Sequence, residues 1–299
     1  MLSHLYFSAL RVTGVTALAR RVRRGGVILC YHNVVAAPDR GGDPGAHMPV
    51  ADFARQLAWL LDHHDVIPLG EFVRRVGDGA SLRRTLALTF DDAYAGVFEH
   101  AWPLLRNKRV PATVFIPTDF IAGDEGFWWD HPAIVRIATP ARRARWIGDL
   151  RGDGPVILRE EGVLGPSGLA PSQRPATWET IRVAAAEGLS LGAHSATHRN
   201  LTRLSDAELH RETIESRDVI ASHTGMRAES FAYPYGIWNQ RTRDIVSQAG
   251  FSTAVALDNG LSAAGTDVMA LRRVNIPASI PAAAFQGWLA GLRPISPRT

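Results

Sequence analysis

The chain has 299 residues, 46% hydrophobic and 21% charged, a globular composition that excludes a disordered or fibrous protein. That length suits one large α/β domain or two small ones around a sizeable buried core. A formal charge of +4 with an isoelectric point near 9.7 reflects an excess of Arg over Lys. A basic surface could meet an anionic membrane, but no nucleic-acid motif accompanies it, and no nucleic-acid partner is expected.

Residues 1–26 mix Leu, Val and Ala with Arg11, Arg20, Arg21, Arg23 and Arg24. Arg11 interrupts the apolar stretch and no small-residue cleavage site follows, so a secretory signal is not expected. No window reaches the roughly 18 uncharged apolar residues of a spanning helix. The segment reads as a basic helix that covers one end of the fold or lies on a membrane. The first strand is Val27–Tyr31, holding the single cysteine, Cys30, as a buried thiol. With no disulfide to form, nothing demands an oxidising compartment. The expectation is a cytoplasmic protein, with the inner face of the membrane within reach of the N-terminal segment.

A helix follows with Phe53, Leu57, Leu60 and Leu61 on one face, then strands at Asp65–Leu69, Leu82–Phe90 and Ala112–Ile116. Between about 123 and 175 the pattern weakens around Trp128, Trp129 and the cluster Arg142, Arg143 and Arg145. It reads as a helical insertion on the rim of one domain spanning 27–299. Regularity returns with a helix at Trp178–Gly188 and a strand at Leu189–Ala193. A capping box of Ser205 and Glu208 opens another helix, and strands are expected at Glu229–Tyr233 and Thr253–Leu257. Alternating strands and helices predict βα units.

Three motifs carry chemistry. Thr89-Phe90-Asp91-Asp92 closes an apolar strand, and two adjacent carboxylates there are costly unless something positive compensates them. One Asp can face a metal and the other a reacting water; a helix cap is the alternative. His194-Ser195-Ala196-Thr197-His198 places two imidazoles four apart, on one face if the segment is a helical turn. Two His and a carboxylate form a common catalytic metal set, because positions stay open for water and substrate. Phe231-Ala232-Tyr233-Pro234-Tyr235-Gly236 is a strand that breaks at a Pro-Tyr-Gly turn, whose backbone N–H could serve as an oxyanion donor.

In this order and spacing the three motifs resemble the polysaccharide deacetylase family (carbohydrate esterase family four, NodB-like) over roughly Val27 to Pro277. The resemblance implies a distorted (β/α)7 barrel with its site at the C-terminal strand ends. It implies a divalent metal held by Asp92, His194 and His198, usually zinc, with cobalt, nickel or manganese as alternatives. It also implies Asp91 as general base and the Tyr235 N–H at the oxyanion. The chain departs from the pattern twice. It has no His after His223, where members usually draw the general acid, so His32 takes that role as in members with permuted motif order. Ala232 stands where many members have an Arg beside the catalytic Asp, and Arg272 or Arg273 is the candidate substitute. Trp128, Trp129 and Asp130 are assigned to a sugar-binding wall, and Arg273 is grouped with the two Trp as substrate-binding.

The implied function is hydrolase removal of N-acetyl groups from an amino sugar or N-acetylated glycan. An O-acetyl esterase, a deformylase on a lipid-linked sugar, and a non-catalytic carbohydrate-binding member of the fold are the alternatives.

Overall fold

The computed structural model describes residues 2–37, 41–121, 123 and 126–292. Its strands are β1 (Val27–Tyr31), β2 (Asn33–Val35), β3 (His47–Pro49), β4 (Asp65–Val66), β5 (Thr85–Phe90), β6 (Thr113–Ile116), β7 (Ser190–Ala193), β8 (Ser230–Ala232), β9 (Thr253–Ala256) and β10 (Leu271–Asn275). β1 pairs with β10 on one side and β5 on the other, and β10-β9-β8-β7-β6-β5 completes the circuit. All these pairings are parallel, so seven strands close into a barrel. β4 adds an eighth strand beside the start of β5, and β2 pairs with β3 in a small separate sheet. The expected (β/α)7 barrel is the fold observed.

Why these residues form a barrel follows from strand alternation. Every residue of β1 and β5 is buried, as parallel strands covered on both faces require. Side chains then split by parity. Leu29, Leu86, Leu88 and Phe90 join the large apolar cluster under the helices. Ile28, Ala87, Phe115, Ala232, Val255 and Leu271 form a second cluster, closed by Leu69, Phe72 and Val76 of the helix Leu69–Gly77. Two residues further along the same faces come Cys30, Thr89 and Arg273, and then His32 and Asp91. The interior is thus apolar where the strands begin and turns polar where they end.

Strand ends are shorter than the sequence suggests. Leu82–Thr85 is a turn with Arg84 at φ 64, so β5 begins at Thr85. Pro68 starts a helix and stops β4 at Val66. The N-terminal segment is two helices rather than one, α1 (Leu2–Val12) and α2 (Val15–Val22), broken at Thr13-Gly14. Phe7 is fully buried against Gly287 of the helix Ala282–Leu289, where a Cβ would sit 2.5 Å from the ring. Among the described residues no helix is long and apolar enough to cross a membrane. The stretch from 126 to 175 holds three short helices (Pro132–Ile137, Pro140–Gly148 and Gly154–Glu160) around their own apolar cluster of Trp128, Ile134, Trp146 and Ile157.

Gly192 of β7 lies two residues before His194, and a Cβ there would meet the Phe115 ring at 2.4 Å and Ser230 Oγ at 2.7 Å. Gly192→Ala should therefore overpack the barrel and cost about 1–3 kcal/mol. A lower urea midpoint at unchanged slope is the expected result, and an unchanged midpoint would show that the barrel can yield there.

Candidate active site

Asp92, His194 and His198 converge at the mouth of the barrel. Asp92 Oδ1 lies 3.6 Å from His194 Nε2 and 3.4 Å from His198 Nε2, and the two imidazole nitrogens are 3.2 Å apart. Donors around a tetrahedral ion with bonds near 2.1 Å sit about 3.4 Å from one another. Asp92 Oδ1 is buried and meets no hydrogen-bond donor among the described residues. Burial, then Asp91 and Asp130, push its carboxyl well above the ordinary range. His194 donates from Nδ1 to the Ala232 carbonyl at 2.8 Å, which turns the Nε2 lone pair toward Asp92. Burial also pulls His194 down to about 4 and lowers His198 strongly, so both rings are neutral ligands at physiological pH. An orphaned buried carboxylate facing two neutral nitrogens at this spacing fits one divalent cation.

Asp91 is held differently. Arg273 forks it, with Nη1 2.6 Å from Oδ1 and Nη2 2.7 Å from Oδ2, and the same guanidinium reaches Thr89 Oγ1 at 3.2 Å. Burial alone would raise the Asp91 carboxyl, but Arg273, His194 and His32 overcome it and hold it well below the usual carboxylate range. The Cys30 thiol donates to Asp91 Oδ2 at 3.3 Å. Burial keeps that thiol protonated. His32 closes the group: one donor atom from each of Cys30, His32 and Asp91 lies within 4.8 Å of the others. Burial lowers the His32 ring, and Asp91 is the chief influence opposing that shift.

The loops that aim these groups are strained. Of the nine non-glycine residues with positive φ among the described residues, five are Asp92, Ala93, Ser195, His198 and Tyr235. Such backbone persists only where the surroundings over-determine it. The segment 194–198 is consequently a loop and not the helical turn the i, i+4 spacing suggested; left-handed Ser195 and His198 bring the rings together instead. Glu212, fully buried, accepts from the backbone N–H of Ala196 (3.0 Å) and Thr197 (2.8 Å) and from Arg199 Nη2 at 3.1 Å. Its carboxylate pins the crest of the His-bearing loop. At the Pro-Tyr-Gly turn Tyr235 has φ 59. The Tyr235 ring lies edge-on to His198 at 4.6 Å.

One cavity of about 350 Å3 is lined by His32, Asp91, Asp92, His194, His198 and Tyr235. Trp128 and Trp129 form part of its wall, with Arg143, Asp43 and Asn275. Two sequence assignments need correction. Arg273 does not face the cavity; it is fully buried behind Asp91, because its strand points it into the barrel interior. Asp130 is equally buried and anchors the wall instead of lining it. It takes Tyr94 O–H at 2.6 Å and His47 Nε2 at 3.1 Å, and Tyr94 in turn accepts from Trp129 Nε1 at 2.9 Å. Trp129 stacks on Phe127 and tilts over His198 at 4.6 Å.

A family model described as polysaccharide deacetylase matches residues 78–254. The chain belongs to the polysaccharide deacetylase family. It is thereby a hydrolase of carbon–nitrogen bonds other than peptide bonds, in a family of metalloenzymes. Two relatives and one solved structure frame it. YxkH of Bacillus subtilis, named for the polysaccharide deacetylases, is 19% identical over 268 residues, 89% of this chain and 76% of that one. A poly-beta-1,6-N-acetyl-D-glucosamine N-deacetylase of Staphylococcus aureus is 22% identical over 212 residues, 70% of this chain and 60% of that one. The solved structure of IcaB from Ammonifex degensii superposes with a TM-score of 0.66 at 20% identity, covering 91% of this chain and 98% of that one, a likeness of fold. His32 and Arg273 both lie outside the matched deacetylase segment.

Removing the guanidinium should expose how much Asp91 depends on it. Asp91 ionises lower in the folded state than its unfolded value of about 3.9, so its contribution to stability is present above that pH and fades as pH falls toward the folded value. Arg273→Met should cost about 3–5 kcal/mol near neutrality, because it leaves a buried carboxylate unpaired. The deficit should shrink in acid as Asp91 protonates, which urea titrations across pH would read. A deficit independent of pH would mean that Arg273 contributes by packing alone.

Proposed function

We propose that the chain is a metal-dependent N-deacetylase acting on an N-acetylated amino sugar or glycan. What carries this reading is one cavity shared by two differently tuned carboxylates: Asp91 locked ionised by Arg273, and Asp92 unpaired beside two neutral imidazoles. Environments that push paired carboxylates apart mark a division of labour. Asp92, His194 and His198 would hold the cation, with zinc as first choice for a set of two imidazoles and one carboxylate. When bound, it polarises the acyl carbonyl and brings the pKa of a water toward about 7.

The remaining steps belong to the protein. Asp91, held as the carboxylate, takes a proton from the attacking water as the oxygen–carbon bond forms. The Tyr235 N–H, at the cavity wall, is assigned to the developing oxyanion, a donor worth about 3 kcal/mol. His32, whose charged form Asp91 favours against the pull of burial, gives a proton to the nitrogen as the carbon–nitrogen bond breaks, so that a neutral amine departs with acetic acid, which ionises in water. The adjacency of His32 and Asp91 provides for the proton's return between turnovers. Trp128 and Trp129 offer aromatic surface for a pyranose ring. The Staphylococcus aureus relative, named for poly-beta-1,6-N-acetyl-D-glucosamine, favours an N-acetylhexosamine polymer as substrate class. Arg273 replaces the charge missing at Ala232, and so removes the departure that pointed to a binding module without turnover.

Incubation with N-acetylglucosamine oligomers should release acetate and leave free amines, and chelation should abolish this until a divalent metal is restored. Asp91→Asn and His32→Ala should each lower kcat by on the order of 10²-fold or more with metal content unchanged. His198→Ala should lose the metal itself, read by elemental analysis. Formate in place of acetate, or a freed hydroxyl in place of an amine, would reassign the substrate. Near wild-type turnover in either Asp91→Asn or His32→Ala would remove that residue from the mechanism.

A further inference from the structure

The N-terminal helices carry apolar side chains on their outward faces. A helix that merely caps a domain buries its apolar stripe. In α2 the reverse holds: Val15, Leu18 and Val22, at i, i+3 and i+7, are 40%, 62% and 66% exposed, whereas Thr16 is 2% exposed. α1 packs Phe7 and Leu10 inward and adds an outward apolar edge, with Leu5 and Val12 63% and 82% exposed. Six of the eleven large apolar side chains exposed among the described residues fall within these 22 positions, which makes the stripe a patch and not scatter.

Basic charge surrounds the patch. Arg11, Arg21 and Arg24 are exposed, and beside Val22 a groove of about 840 Å3 is lined by Arg21, Arg23, Arg24 and Arg83. Arg23 is only 6% exposed. Its Nη2 meets His64 Nδ1 at 2.9 Å, but among the described residues Nε and Nη1 meet no acceptor. Burial draws His64 down to about 3, so the ring is neutral and brings no countercharge. Burial and then Arg20 draw Arg23 itself down to about 10, and no carboxylate opposes them. Buried charges are ordinarily paired. A buried cation facing a groove rimmed by three further arginines is a site built for an anionic oxygen ligand.

We propose that α1, α2 and this groove form a docking surface for an anionic lipid bilayer, the two apolar stripes entering the interface and Arg21, Arg23, Arg24 and Arg83 receiving headgroup phosphates. Apolar side chains flanked by arginines are the two components that such binding sums. Gly26 leads into β1 and Leu82 precedes β5, so the groove opens where the strands begin. The cavity holding Asp91 and His194 lies at the opposite end, and a docked chain keeps it open to water.

Flotation of the full chain with vesicles tests this. Vesicles of phosphatidylcholine mixed with phosphatidylglycerol should carry the protein upward, phosphatidylcholine alone should not, and added salt should weaken the binding. Replacing Arg21, Arg24 and Arg83 together by Ala should lower partitioning on the order of 100-fold, about fivefold for each charge. Leu18→Asp with Val22→Asp should lower it about tenfold or more, whereas Leu164→Asp, exposed elsewhere, should not change it. Acetate release from a soluble oligomer should be the same in every variant. Equal binding to both vesicle types, or retention of binding by the Arg and Leu18/Val22 variants, overturns the proposal. So does saturable binding of inorganic phosphate without vesicle binding, which makes the groove a free-anion site. A dimer in sedimentation that Leu18→Asp dissociates, again without vesicle binding, assigns the patch to a second copy.

Discussion

The bidentate contact between Arg273 and Asp91 is the constraint around which the barrel's polar end is organised. Two carboxylates adjacent in sequence and fully enclosed cannot both stay ionised without positive charge. The guanidinium satisfies one of them outright, leaving the other beside the two imidazoles. Arg273 is itself held by Thr89 Oγ1 and by the Phe115 ring 5.4 Å away, so its position is set by three strands at once. Neither residue would be tolerable alone at that depth.

Much of this was legible in the sequence, and for physical reasons. Continuous apolar runs ending in Asp91-Asp92 and His194 mark buried parallel strands with functional ends, and that placement holds. The motif residues converge as their spacing implied. What failed was local geometry. The His194–His198 interval satisfies helical periodicity, yet the loop reaches the same convergence through left-handed Ser195 and His198, a conformation that propensity does not encode. Arg272 and Arg273 were indistinguishable in sequence; alternation along β10 decides between them, since Arg272 lies on the exposed face and Arg273 on the enclosed one.

Other contributors gave weaker signals. Glu212 falls on the helical face of Leu209, Thr213, Ser216 and Ile220, all buried, and a carboxylate on such a face marks a buried acceptor in need of donors. Asp130 looked like a sugar contact because two Trp precede it. Its complete enclosure by Tyr94, His47 and the Asp43 N–H makes it the post on which Trp129 hangs. Both residues act on His198, one through the loop backbone and one through an aromatic face.

Closure of the barrel has a further consequence. A five-residue strand is about 16 Å long. The arginine-lined groove and the carboxylate pair are therefore set at opposite ends of the barrel strands. Side chains can therefore change where the strands begin without touching the groups gathered where they end.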